Sequence, residues 1–113
     1  MPGRALPRIV ALSIAAAVAV GLPAHAAAAP PVHTIVIDKM KFGPIPTNLH
    51  VGDVVLWVNR DIFRHTATAR DRSFNLDLAP GAKGKIVIKR SGAIPFACTF
   101  HPGMKGTLVV APK

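Results

Sequence analysis

The sequence of 113 residues has little of several residue types, and each shortage argues against a class of protein. It has a single cysteine, so no disulfide can form within the chain. It has only five acidic residues and few aromatic ones, and the serine, histidine and acid cluster of a hydrolase is not visible. The lysine and arginine residues are scattered rather than clustered, which argues against nucleic-acid binding. No convincing helical periodicity follows residue 26, so a helical fold is not expected.

The first 26 residues predict a secretory signal peptide. Arg4 and Arg8 precede an apolar run over residues 9–20, and the sequence Ala-His-Ala at residues 24–26 is typical of a signal peptidase site. The apolar run is short for a bilayer and no second run follows it. We therefore expect export to the periplasm and no stable membrane insertion.

Removal of residues 1–26 leaves a chain long enough for one compact domain. We predict a flexible arm over residues 27–31, which contain small residues and prolines, and one domain over residues 32–113. Because basic residues outnumber acidic ones 14 to five in the full chain, we expect acidic partners. We also expect a monomer.

Eight short segments after residue 31 are rich in valine, isoleucine, threonine and phenylalanine, which favours strands. They cover residues 32–38, 49–51, 54–59, 65–69, 74–78, 85–88, 94–98 and 107–110. Glycine and proline pairs separate them, at 43–44, 52–53, 80–81, 91–92 and 102–103. This pattern predicts an all-β sandwich with Greek-key connections.

The stretch CTFHPGM places the only cysteine, Cys98, beside two other potential metal ligands, His101 and Met104. Pro102 and Gly103 would break a helix, so these three side chains belong to a tight loop between two strands. An unpaired thiol is a liability in an oxidising compartment, and metal ligation would remove that liability.

The donor types narrow the choice of metal. Thiolate and thioether are soft ligands, and two histidines, one cysteine and a weak axial methionine form the blue-copper set. The second histidine could be His33, His50 or His65. We favour His65, because it opens a strand after a turn, and we expect His33 and His50 to be solvated. Ordinary core packing remains the alternative for Met104.

Three stretches resemble the cupredoxins, and specifically the plastocyanin and amicyanin group, with amicyanin the most similar. They are KMKF at residues 39–42, HVGDVVLWVNRDIFRH at residues 50–65 and CTFHPGMKGTLVV at residues 98–110. The resemblance implies an eight-stranded Greek-key sandwich with one type 1 copper ion near one end. It also implies that His65, Cys98 and His101 are the in-plane ligands and that Met104 is the axial one.

The same resemblance assigns neighbours to the copper site. Asn59 matches the asparagine that ties the two ligand loops together, and Thr99 matches the residue that follows the cysteine. Phe100 stands where amicyanin has proline, which adds a backbone N–H near the sulfur. Phe96 stands where the family usually has tyrosine, and Trp57 is expected in the core.

These features predict an exported electron carrier rather than an enzyme, with redox proteins as partners. We expect His101 to emerge through an apolar patch surrounded by Arg60, Arg64 and Lys105, which suits an acidic partner. Two alternatives remain at this point. The chain could be a copper carrier or buffer that does not cycle its charge, or a sandwich that binds a partner without metal.

Overall fold

The computed structural model describes residues 1–22 and 28–113. Residues 1–22 have no regular secondary structure and their side chains are exposed. None of the described segments forms a helix long and apolar enough to cross a membrane. The predicted cleavage site at residues 24–26 lies outside the described residues, so the signal peptide remains a prediction.

Nine strands occur in the described part of the chain, and no helix does. Their bounds are β1 Val32–Asp38, β2 Lys41–Phe42, β3 Leu49–His50, β4 Val54–Asn59, β5 His65–Ala69, β6 Asn75–Leu78, β7 Lys83–Val87, β8 Gly92–Ala97 and β9 Lys105–Ala111. The all-β prediction is confirmed, and each of the eight predicted segments coincides with a strand. The count of eight is corrected to nine.

The additional strand, β2, pairs with β1 through a two-residue turn at Lys39 and Met40. Both turn residues have positive φ, 50° and 61°, a conformation that usually selects glycine or asparagine. The turn was missed because neither residue signals it, and two residues are too few to show alternation. Asp61 supports this turn by accepting a hydrogen bond from the Met40 amide at 3.0 Å.

The strands form two sheets, in the orders β2-β1-β4-β7 and β3-β9-β8-β5-β6. The pairs β1–β4 and β3–β9 are parallel, and the remaining pairs are antiparallel. Alternate residues of each strand face the space between the sheets, as the period of two predicts. Apolar side chains from both sheets therefore share one core.

Aromatic rings fill the centre of this core. Trp57 is fully buried, as predicted, and its ring meets that of Phe96 edge-on with centroids 5.5 Å apart. The ring of Phe42 also meets that of Phe96 edge-on, with centroids 4.9 Å apart. The end of the Phe96 ring occupies the space that a side chain at residue 106 would need, since a Cβ there would lie 2.7 Å from Phe96 Cζ. Gly106 is thus required by close packing.

Two loops meet at one end of the sandwich. The first loop, residues 60–64, joins β4 to β5, and the second, residues 98–104, joins β8 to β9. Strands β5 and β8 are neighbours, with Thr68 opposite Ala97 in the ladder. This pairing brings the start of β5 next to the end of β8, which sets His65 beside Cys98.

Candidate metal centre

Three potential metal ligands converge at the end of the sandwich formed by these loops. The side chains of His65, Cys98 and His101 each offer one donor atom, and these atoms all lie within 4.8 Å of one another. Cys98 Sγ is 3.8 Å from His65 Nδ1 and 3.7 Å from His101 Nδ1. His65 and Cys98 are buried, whereas His101 is half-buried. The structure therefore brings together three of the four side chains predicted as ligands.

Backbone hydrogen bonds close the second loop into a compact turn. The Met104 amide donates to the His101 carbonyl at 2.8 Å, and the Cys98 amide donates to the Met104 carbonyl at 3.0 Å. The Met104 side chain is buried and belongs to the core. These two hydrogen bonds hold the backbone of Cys98, His101 and Met104 in one turn.

A buried carboxylate orients the first histidine. Asp61 Oδ2 lies 2.9 Å from His65 Nε2, so this nitrogen carries the proton and donates it to the carboxylate. The other nitrogen, Nδ1, is then left with a lone pair that faces Cys98. The hydrogen bond from His65 lowers the pKa of Asp61 below its ordinary value of 3.8, which keeps the carboxylate charged. Sequence reasoning missed Asp61, although its place four residues before a histidine ligand was visible.

Thr66 and Thr99 connect the two ligand loops directly. The Thr66 amide lies 3.4 Å from Cys98 Sγ, and the Thr66 hydroxyl accepts a hydrogen bond from the Thr99 amide at 2.9 Å. The two hydroxyls are 3.2 Å apart. Thr99 was singled out from the sequence, whereas Thr66 was not, because threonine in a strand usually reflects β propensity alone.

Asn59 makes a different connection in the structure. Its side-chain amide donates to the carbonyls of Phe63, Leu78 and Ala79 at 2.8, 2.9 and 3.3 Å. Its side-chain oxygen accepts from the Asp61 amide at 2.9 Å. Asn59 therefore fixes the first loop to the end of β6, and through Asp61 it supports His65.

The surroundings of Cys98 favour its thiolate form. Burial raises the pKa of the thiol, but the Thr66 amide, the nearby His65 and His101 rings and the Phe100 amide together outweigh burial and lower the pKa to about 6. The Phe100 amide, which the sequence singles out as an added N–H near the sulfur, is one of these groups. A thiolate with two imidazole nitrogens offers lone pairs within 4.8 Å of one another, and this arrangement suits a metal cation.

The donor set fits copper. One sulfur and two imidazole nitrogens form the in-plane set of blue-copper sites, whereas magnesium and calcium require oxygen ligands. The convergence of the three donor atoms within 4.8 Å fits a single small ion. The fold and the site together define an all-β protein with a mononuclear copper centre.

Comparison with known proteins identifies the family. The cupredoxin-like domain matches residues 9–110, and the chain belongs to this family. Amicyanin from Paracoccus denitrificans is 29% identical over 93 aligned residues, and the match covers 67% of this chain and 64% of the relative. The chain thus spans slightly less than two thirds of that relative's length.

Solved structures give the same result. The chain resembles the reduced state of a proline-to-phenylalanine variant of amicyanin with a TM-score of 0.61 and 29% identity, covering 78% of this chain and 88% of that one. It resembles a purple cupredoxin from Nitrosopumilus maritimus with a TM-score of 0.63 and 25% identity, covering 69% and 98%. The predicted resemblance to cupredoxins, and to amicyanin within them, is confirmed. One type 1 copper ion per chain is the cofactor that this family and donor set define.

Proposed function

We propose that the protein is an exported blue-copper electron carrier that shuttles single electrons between redox partners. The observation that carries this proposal is the convergence of one thiolate and two imidazole nitrogens within 4.8 Å, in a site where Cys98 and His65 are almost fully buried. A carrier that delivers copper needs an exposed and exchangeable site, which this burial disfavours.

In this proposal His65, Cys98 and His101 would hold the metal, and Met104 would be its fourth and weakest ligand. Copper bound there supplies a one-electron couple between Cu(II) and Cu(I). The protein's contribution is to fix the donors. The Asp61 carboxylate sets the tautomer of His65, and the Thr66 amide and hydroxyl hold Cys98 and Thr99 in place. Supporting hydrogen bonds of this kind orient ligands before the metal arrives.

An apolar surface near His101 gives electrons a route in and out. Phe63 and Phe100 are 50% and 55% exposed, and Ile62 is 80% exposed, so the tips of both ligand loops present large apolar side chains to solvent. Such clusters are typical of protein interaction sites. A redox partner that covers this surface would approach the half-buried ring of His101.

The surrounding charges differ from the sequence expectation in one respect. Arg64 forms an ion pair with Asp77 and lies over the Phe100 ring, 6.0 Å from its centroid. Its charge is therefore already compensated, and steering of an acidic partner falls to other basic residues. We propose that the partner's docking face is acidic, because the chain has a net charge of +9.

Export to the periplasm is part of the proposal and rests on the basic and apolar character of residues 1–20. Residues 27–31 would then form the arm and residues 32–113 the copper domain of a monomer. N-terminal sequencing of the protein from a periplasmic extract tests this, and a start near residue 27 is expected.

Addition of Cu(II) to the copper-free protein tests the function. An intense blue thiolate-to-copper absorption band, with reversible one-electron reduction, is expected. Cys98→Ser is the matched control, since oxygen replaces sulfur with little change in volume. Tight copper binding without a blue band would instead support the carrier or buffer, and absence of specific binding would support a metal-free binding module.

A further inference from the structure

A basic groove lies beside the second ligand loop, residues 98–104, on the outer face of the larger sheet. Its volume is about 540 Å³. Strand β8 forms the floor, because its outward residues Pro95 and Ala97 are short. The ladder places Ala97 between Thr68 of β5 and Lys105 of β9, and Pro95 opposite Thr107 of β9. Longer side chains on both flanking strands thus form walls around a low central strand.

The charge in this groove is positive and uncompensated. Arg70, Arg72 and Lys105 line it and are exposed, and no acidic residue lines it. In the described part of the chain none of the three belongs to an ion pair. Nearby Asp71 is unavailable, since its carboxylate binds Arg90 and the Ser73 amide.

The remaining acids are also engaged elsewhere. The chain has five acidic residues, and Asp53, Asp61 and Asp77 bind His33, His65 and Arg64. Asp38 accepts a hydrogen bond from the Lys39 amide at the β1–β2 turn. Compensation of the groove must therefore come from another molecule or from solvent ions.

The floor of the groove continues directly into the second ligand loop. Ala97 precedes Cys98 in the chain, and Cys98, Thr99 and Pro102 line the same groove. A molecule lying on Ala97 would be one residue away from the sulfur that the proposed function assigns to copper. The groove is thus a lateral approach to the site, separate from the apolar surface formed by Phe63 and Phe100.

We propose that this groove binds an extended acidic segment of the redox partner. The three cations match carboxylate side chains, and the hydroxyls of Thr99 and Thr107 can donate hydrogen bonds to them. Lys105 lies opposite Ala97 at the start of β9, whereas Arg70 and Arg72 lie in the turn after β5, where the Arg70 amide donates to the Pro95 carbonyl. The cations are thus spread along the groove, which fits a segment with several carboxylates. The inference rests on the proposed electron-carrier function for the identity of the partner, but the binding itself does not.

Titration of a hexa-aspartate peptide, followed by amide chemical shifts of the protein with and without copper, tests the groove. We expect shifts on β5, β8 and β9 around Thr68, Ala97 and Thr107, and weaker binding as salt rises. Replacement of Arg70, Arg72 and Lys105 by glutamine should weaken binding on the order of tenfold.

A matched triple variant separates the groove from the overall charge. Replacement of Lys83, Lys85 and Lys89 by glutamine removes the same charge from exposed positions on or next to β7, in the other sheet, and should leave binding nearly unchanged. Equal weakening in both triple variants would overturn the proposal. Thr107→Trp blocks the groove without changing charge, and undiminished peptide binding by this variant would also overturn it.

Two further results discriminate between the proposals. Displacement of the peptide by inorganic phosphate at matched concentration would assign a small-anion site and overturn binding of an acidic segment. Groove-confined peptide binding by a protein that forms no blue band would refute the electron-carrier function and leave the groove standing. A blue, reversibly reduced protein that does not bind the peptide in the groove would support the electron-carrier function and overturn the groove proposal.

Discussion

A histidine–aspartate pair lies near each end of strand β4, and the two pairs have different roles. At one end Asp61 binds His65 Nε2 at 2.9 Å, and at the other end Asp53 binds His33 Nε2 at 2.8 Å. In both pairs the hydrogen bond from histidine lowers the pKa of the aspartate below 3.8. The pairs are therefore nearly equal as local hydrogen bonds.

Their surroundings differ. The free nitrogen of His65 faces Cys98 Sγ, and its ring is fully buried. The side chain of His33 is 18% exposed, and within residues 1–22 and 28–113 the only group of three potential metal donors is the one at the copper end. The Asp53 carboxylate instead accepts from the His50 amide at 3.0 Å and fixes the turn before β4.

The difference teaches that a histidine–aspartate pair is not itself a functional signal. It becomes one where a third, soft donor from another part of the chain lies on the free side of the imidazole ring. At the Asp53 end the same pair only connects the start of β1 to the turn before β4, and its contribution is to stability.

The strongest test of this comparison is loss of the ligands themselves. Cys98→Ser should abolish the blue band, because only a thiolate gives that charge transfer, and His65→Ala should severely weaken copper binding. His33→Ala makes the same histidine change at the other end and should leave the band intact. Visible absorption during copper titration measures all three, and a blue, tightly binding Cys98→Ser protein would contradict the ligand assignment.

The paired aspartates offer the next largest effect. Asp61 Oδ2 accepts hydrogen bonds from His65 and the Met40 amide, and Oδ1 accepts one from the Ile62 amide. Asp61→Asn replaces one of these acceptors by an amide N–H and removes the charge, so the tautomer of His65 is no longer fixed. Copper affinity should fall about 10–100-fold. Asp53→Asn should leave copper affinity unchanged and lower only thermal stability. Competition with a chelator measures affinity, and equal losses in both variants would remove the distinction between the two ends.

A smaller effect is expected from the backbone of the second ligand loop. The Phe100 amide is one of the groups that lower the pKa of Cys98, and proline has no N–H. Withdrawal of charge from sulfur disfavours Cu(II) more than Cu(I), so Phe100→Pro should lower the reduction potential. A difference of about 1 kcal/mol between oxidation states corresponds to roughly 40 mV.

Voltammetry measures this potential, and Phe100→Ala is the control that keeps the amide while removing the ring. An unchanged or higher potential in the proline variant would show that this amide does not tune the copper. A fall of the same size in the alanine variant would assign the effect to the ring.

The smallest effect concerns acid stability at the end without copper. Because the pKa of Asp53 is lowered in the folded state, its stabilisation is fully present well above 3.8 and is lost as the pH falls through the folded pKa. Asp53→Asn should therefore lower the melting temperature at pH 7 and narrow the gap from wild type below pH 4. Thermal melts of the copper-free proteins between pH 7 and pH 3 measure this, and a gap that widens on acidification would contradict it.

Much of the fold could be predicted because the signals are local. Segments rich in β-branched residues and phenylalanine mark eight strands, and the glycines at three of the turns between them, Gly52, Gly81 and Gly92, have positive φ. Strand β2 could not be predicted, since its turn lacks glycine and its support comes from Asp61, 21 residues away from Met40.

The candidate site likewise has features that the sequence predicted and features that it did not. The spacing of Cys98 and His101 is a property of seven consecutive residues, so the sequence alone indicated a metal site with a soft donor. The support from Asp61 and Thr66 was not visible, because a hydrogen bond to a ligand depends on where two loops meet. His33 was expected to be solvated, and this was wrong: its partner Asp53 lies 20 residues away.

The sequence by itself determined the strand pattern, the basic charge and the identity of the donor atoms, because each depends on residue type and short spacing. Only the tertiary structure decided which histidine joins Cys98, which aspartate supports a ligand and where positive charge is left uncompensated. Those outcomes depend on β5 pairing with β8, which brings His65 next to a cysteine 33 residues away. Proximity of this kind is set by the packing of the two sheets, and no local pattern in the chain encodes it.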